Sequence, residues 1–155
     1  DASYGDTKHH KSTYGYGIYL NGNLVIWASK KSTVIPQSTV ESEYICQSQM
    51  ARQMLWMYQL LQELGHQVER PMKMYCDNQG SIKLVENPII SKYSKHIGLK
   101  YHFIRHHHRM GNISIEYVPT DSNVADIFTK PLQKARFESL RNALNNLGLL
   151  NEGEC

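Results

Sequence analysis

Apolar positions recur at helical spacing from Gln37 to Leu64. Val40, Tyr44, Ala51, Leu55 and Tyr58 fall on one stripe, with Cys46, Met50, Met54, Met57, Leu61 and Leu64 beside it. A stripe that wide predicts a central helix covered on most of its sides. Ser38 and Glu41 form the S/T-x-x-E capping box, in which Glu41 reaches back to the Ser38 amide, and Gly65 supplies the C-cap. Elsewhere the period is two. Tyr14, Tyr16, Ile18 and Leu20 alternate with Gly15, Gly17 and Tyr19, Asn21-Gly22 is a hairpin turn, and Leu24 to Ser29 returns as the partner strand. Met72 to Cys76 reads as a short strand, and residues 77–81 turn it into a small helix, Ile82 to Glu86, that Asn87-Pro88 stops. Ser91 to Met110 is basic, aromatic and helical in part, and Gly111-Asn112 ends it. Ile113 to Val118 alternates as a strand, and Asn123 to Thr129 opens a helix that Pro131 interrupts. Gln133 to Leu147 is a closing amphipathic helix carrying Phe137, Leu140, Leu144 and Leu147. Hairpin, helix, strand, helix, strand, helix is an α/β order with a mixed sheet.

The chain of 155 residues fits one domain over residues 1–150, with 151–155 as a flexible tail. A hydrophobic content of 41% and a charged content of 20% are ordinary for a soluble fold. A net charge of +3 argues little for a polyanionic partner, but Lys92 to Arg109 concentrates cations and holds no acid. Cys46, Cys76 and Cys155 show no CxxC spacing, which suits buried thiols in a reducing compartment. No apolar run approaches the roughly 18 residues of a membrane span, and no signal peptide is recognisable. An intracellular, soluble protein with no membrane contact is expected.

Four carboxylates stand out on this map. Glu41 and Glu43 lie two residues apart, a rotation of roughly 200°, so the capping box occupies Glu41 and leaves Glu43 facing elsewhere. Asp77 follows a strand at the end where open α/β sheets bind ligands. Asp126 lies in the first turns after a strand, and Asp1 opens the chain. All four could converge on one sheet edge. Clustered carboxylates repel and are costly to desolvate. Mg²⁺ resolves that conflict, and two ions about 3.5–4 Å apart are a known solution for phosphodiester cleavage. Singly, each acid reads more readily as a cap or a surface charge than as a functional group.

STVESEY (Ser38 to Tyr44), YCDNQGSI (Tyr75 to Ile82), SKHIGLKYHFIR (Ser94 to Arg105) and YVPTDSNVADIFTKPL (Tyr117 to Leu132) carry a resemblance. They resemble, in order and spacing, the RNase H domain of copia-type (pseudovirus) LTR retrotransposon polyproteins. The resemblance implies an RNase H-like fold, a mixed five-stranded sheet flanked by helices, here with the first strand truncated before Asp1. It implies cleavage of the RNA strand of RNA–DNA hybrids during reverse transcription, with two Mg²⁺ ions that Mn²⁺ could replace. Asp1, Glu43, Asp77 and Asp126 match the family's catalytic and metal-binding acids. The reverse transcriptase of the same polyprotein is the implied partner, and the cytoplasm, or a virus-like particle for an active element, the implied location. Cellular RNases H carry a mobile His before the last Asp; Val118 to Val124 holds none, so water positioning or product release is handled differently here. The rival function is an inactive or domesticated nucleic-acid-binding or protein-docking module. An integrase core is disfavoured because it uses a different final acid.

Within the basic segment, His96, Lys100, His102 and Arg105 are candidate hybrid contacts. A solvated helix face with Tyr101 and Phe103 turned to the core explains the same pattern equally well. Zinc is a weaker reading: His102 and His106 sit at i, i+4 with no further ligand nearby. If these histidines meet phosphate, hybrid affinity should rise as pH falls towards about 6. Ser3, Lys30, Lys31, Asn78 and Ser81 are further contact candidates, with Asn78 and Ser81 serving equally well as caps of the short helix.

Overall fold

The computed structural model describes residues 1–5, 11–87 and 98–146. Expectations for His96 and for the tail at 151–155 fall outside them. In chain order the described elements are β1 (Ala2–Ser3), β2 (Thr13–Leu20), β3 (Asn23–Lys31), α1 (Thr39–Glu63), β4 (Met72–Cys76), α2 (Gln79–Glu86), α3 (Gly98–Arg109) and β5 (Ile113–Tyr117), then 3₁₀ turns at Thr120–Ser122 and Val124–Phe128, and α4 (Lys134–Asn146). The mixed α/β class expected from the sequence is what forms. Among the described residues the strands form two ladders, a three-stranded β1-β2-β3 sheet and a two-stranded β4-β5 sheet, where the sequence predicts one. A central strand must carry ladders on both edges, and β1 has only two residues, both registered on β2. The helix expected from Asn123 to Thr129 is a 3₁₀ turn.

Two compact units divide the chain, one formed by residues 1–42 and 122–155 and the other by 43–121. In the first, β2 and β3 form an antiparallel hairpin through Asn21 and Gly22, whose φ values of 48° and 77° are the pair that a type I′ turn requires. β1 pairs antiparallel with β2, placing Ala2 opposite Tyr14. The Val124–Phe128 turn packs on β2, and α4 packs on that turn and on β3. Tyr16, Ile18, Ala28, Leu140 and Leu144 are buried.

In the second unit β4 and β5 are parallel, pairing Met74 with Ile115, and α2 and α3 lie in the crossover between them. Met74, Cys76, Ile113 and Ile115 are buried while Lys73 and Tyr75 are exposed, the alternation that a strand with one covered face produces. Every residue of α1 from Glu41 to Ser48 is buried, but Trp56, Leu60 and Leu64 are exposed. The cover predicted for most sides of this helix is complete over its first turns and narrows beyond them to one face, where Ala51 and Met54 are buried. Both long helices of the unit end in Schellman motifs on glycines of positive φ. The Gly65 amide bonds Gln62 O and the His66 amide bonds Leu61 O; Gly111 and Asn112 repeat the pattern on His108 O and His107 O.

Candidate active site

At the start of α1 the Ser38 hydroxyl accepts the Glu41 amide at 3.2 Å. The Glu41 carboxylate accepts the Gln37 amide at 2.6 Å. The box therefore secures the incoming loop as well as the helix. Glu43, two residues on, is buried, and one of its carboxylate oxygens lies with Cys76 Sγ and an Asp77 oxygen in a group whose atoms are all within 4.8 Å of one another.

Gln47 sets that geometry. It follows Glu43 by four residues, so both side chains project from one face of α1. Its Nε2 donates to Ser81 Oγ at 2.8 Å and to Cys76 Sγ at 3.1 Å. Asn78 closes the same turn. Its side chain accepts the Ser81 amide at 2.9 Å, its carbonyl accepts the Ser81 hydroxyl at 2.8 Å, and its own amide donates to Cys76 Sγ at 3.3 Å. α1 is thus tied to the β4–α2 turn on both sides of Asp77. Burial pushes the Cys76 thiol up, against the opposing hydrogen bond from Ser81. Cys76 accordingly stays a neutral thiol, and the charged donors of this group are two hard carboxylates.

The other two acids meet in the first unit. Asp1 and Asp126 have side chains only 2% and 4% exposed, and Lys130 Nζ bridges them at 3.3 and 2.7 Å. Arg136 adds a contact to Asp126 Oδ2 at 2.9 Å, and the Thr129 hydroxyl donates to Asp1 Oδ2. Gly15 is their common footing. Its amide and carbonyl exchange hydrogen bonds with the Asp1 carbonyl and amine at 2.9 and 3.1 Å. On its bare face sits Phe128, so close that a Cβ at Gly15 would lie 2.4 Å from the Phe128 Cβ. Ser29 Oγ donates to Phe128 O at 2.6 Å, and the Asn123 side chain caps the turn by accepting the Ala125 amide. Asp126 is therefore positioned by packing against β2, and Asp1 by the β2 ladder.

These donors suit a hard divalent cation. One unit offers paired carboxylate oxygens beside a neutral sulfur, and the other offers a carboxylate pair already organised around an ammonium. The remaining candidates are placed as follows. Ser81 is fully buried with its hydroxyl engaged by Asn78 and Gln47, and Arg105 is buried with its Nε donating to Leu84 O at 2.8 Å. Asn78 is the α2 cap, and the Ser3 hydroxyl bonds the Thr13 backbone. Lys30, Lys31 and His102 are exposed, and Lys100 lies in α3. Gln47, Thr129, Lys130 and Gly15 were not singled out from sequence. Two glycines alternating within a strand are the one signal that pointed to close approach at Gly15.

Comparison with known proteins follows this geometry. The chain is 38% identical over 135 residues to the retrovirus-related Pol polyprotein from transposon RE2 of Arabidopsis thaliana, covering 87% of this chain and 9% of that protein. It is 36% identical over 140 residues to the corresponding polyprotein from transposon RE1 of the same plant, covering 90% and 10%. Against that from transposon TNT 1-94 of Nicotiana tabacum it is 36% identical over 135 residues, covering 86% and 10%. Its homologues are thus retrotransposon Pol polyproteins, and the chain spans about a tenth of their length. No family model and no solved structure matches.

Proposed function

We propose that this segment, homologous to retrotransposon Pol polyproteins, is an RNase H-like domain that hydrolyses the RNA strand of RNA–DNA hybrids, in company with the reverse transcriptase of its own polyprotein. The observation that carries this reading is that all four acids matched to the family lie in carboxylate pairs, Glu43 with Asp77 and Asp1 with Asp126. Glu43 and Asp77 would hold one Mg²⁺, and Asp1 and Asp126 would supply carboxylates to the second. Bound there, the ions supply activation of the attacking water and charge stabilisation at the scissile phosphate.

The chain's own residues do the rest. Gln47 and Asn78 hold the Asp77 turn against α1, so the carboxylates are positioned before substrate arrives. Lys130 neutralises Asp1 and Asp126 and keeps their mutual repulsion from opening the 3₁₀ turn. Exposed Lys30 and Lys31 on β3 offer phosphate contacts that fix register without reading sequence.

The same ion pairs favour a second function. A carboxylate pair compensated by fixed Lys130 and Arg136 needs no metal, which suits a non-catalytic nucleic-acid-binding or docking module. Hybrid cleavage with Mg²⁺ or Mn²⁺ separates the two. Wild-type cleavage lost in Asp77→Asn and Glu43→Gln, but retained in Glu41→Gln, supports the nuclease. Tight hybrid binding with no wild-type cleavage supports the module, and cleavage surviving in Asp77→Asn overturns the site.

A further inference from the structure

The second unit contains a cavity of about 400 Å³ that the nuclease reading does not use. It lies along the later turns of α1. From Glu43 to Trp56 the helix rises about 20 Å, and Arg70 precedes β4 whereas Asp77 follows it. The cavity is therefore remote from the Glu43–Asp77 pair.

Its walls combine flat rings with fixed cations. The Arg70 guanidinium lies 4.0 Å over the Tyr58 ring, and that of Arg52 lies 5.2 Å over the Phe103 ring. A chain of this length carries about two such cation–π pairs by base rate, so their number means little. What matters is that both line one cavity, with Trp56 beside them and no acidic residue in the lining. Arg70 is further fixed by donating to Asn112 Oδ1 at 2.8 Å. Neither guanidinium has a carboxylate partner among the described residues. Trp56 is 53% exposed on the face that carries Arg52 one turn earlier. A singly exposed indole is ordinary by itself; here it stands beside two oriented guanidiniums with no acid in the lining.

We propose that this cavity is a second nucleic-acid site, taking single-stranded DNA or RNA with a base stacked on Trp56 and the adjoining phosphates on Arg52 and Arg70. Ring faces and cations together are what a nucleotide strand offers partners for, since each base has a π face and each link a charge. An acidic peptide would use the guanidiniums and leave the indole unmatched. A duplex presents stacked bases whose faces are not available, so the site selects unpaired strand.

The test uses the full chain in a Trp27→Phe background, where Trp56 is the remaining tryptophan and reports occupancy by fluorescence. Titration with dT15 should quench Trp56, with affinity falling as salt rises; the same titration with U15 assigns the sugar. Trp56→Ala, followed by polarisation of labelled dT15, should weaken binding about 5-fold to 100-fold, the range of one lost stack. Arg52→Ala with Arg70→Ala should weaken it and flatten the salt dependence. Cleavage of a blunt hybrid should be unchanged in Trp56→Ala, so failure here and failure of the nuclease reading are distinguishable. No quenching by either strand, unchanged dT15 affinity in the variants, or stronger quenching by polyglutamate than by dT15 overturns the proposal.

Discussion

Lys130 occupies a position at which one side chain governs two acids. Replacing it by Gln leaves Asp1 and Asp126 facing each other without their shared cation, although Arg136 remains on Asp126. Because the ammonium is over one third exposed, screening limits the cost to about 1 kcal/mol, or about 2–4 °C in Tm for a chain of this size. Thermal melts without metal should show that loss, and Mg²⁺ should stabilise Lys130→Gln more than wild type. Equal stabilisation of the two proteins would remove Lys130 from the metal question. His107 is a second residue whose environment sets its chemistry. Arg70 donates to Asn112 Oδ1, so the Asn112 Nδ2 must point to His107 Nδ1 at 3.0 Å, and that nitrogen must accept. Burial, then the neighbouring His106, lowers the His107 pKa, in accord with a neutral ring. A depressed base binds fewer protons folded than unfolded, so its stabilising contribution is present above the ordinary histidine value and is lost as pH falls through the folded one. Between about pH 7.5 and about pH 5, wild type should therefore lose more Tm than His107→Gln, which can accept from Asn112 throughout. With its pKa lowered by burial, His107 adds little to the rise in hybrid affinity expected from the His-rich segment as pH falls towards about 6.

Single elements were legible where one period and one cap agree. Ser38, Glu41 and Gly65 bracket α1 to within a few residues, and Asn21-Gly22 locates the hairpin, because these signals act within a turn of the residues they control. The 3₁₀ turn at Val124–Phe128 was read as a helix, since its local pattern suits either and the packing of Phe128 on Gly15 decides. In the same way Glu43 and Asp77 were found as individual acids. Gln47 was not, because its partners Cys76 and Ser81 lie 29 and 34 residues away and no periodicity encodes them. The two glycines of β2 give an element-scale test. A Cβ at Gly15 meets the Phe128 Cβ and Thr129 and cannot be absorbed by a rotamer change, whereas at Gly17 the nearest atom is the Leu24 Cδ1 at 2.9 Å, the end of a flexible chain. Gly15→Ala should cost about 1–3 kcal/mol from overpacking and lower hybrid cleavage about 100-fold through misplacement of Asp126. Gly17→Ala should keep most activity. Chemical denaturation and cleavage assays on the pair decide it, and equal losses would contradict the footing assigned to Gly15.

At the scale of the whole molecule, charge is modest and unevenly placed. The net charge is +3, yet Lys30, Lys31, His102, His106 and Arg109 are exposed cations or histidines with no acid beside them in sequence. Hybrid binding that neutralises about three to five phosphates predicts a slope of log affinity against log salt of about −3 to −5. A slope near zero would remove these side chains from hybrid recognition. Each unit brings its own carboxylate pair, with Gln47, Asn78 and Ser81 beside one and Gly15, Thr129 and Lys130 beside the other.

Gly15 carries a consequence for how this sequence can vary. Asp1 is held there by main-chain atoms and Asp126 by a space that no side chain fills, so the separation of the two acids is a property of the backbone. Solvent-facing side chains of the hairpin, such as Val25 and Trp27, can drift over generations without being felt by either carboxylate. Position 15 itself has no such latitude, because one added methyl group is registered by both acids together. A saturation library over β2 scored for hybrid cleavage should accordingly return position 15 as intolerant even of alanine, alongside the apolar requirement of the buried core positions Tyr16 and Ile18.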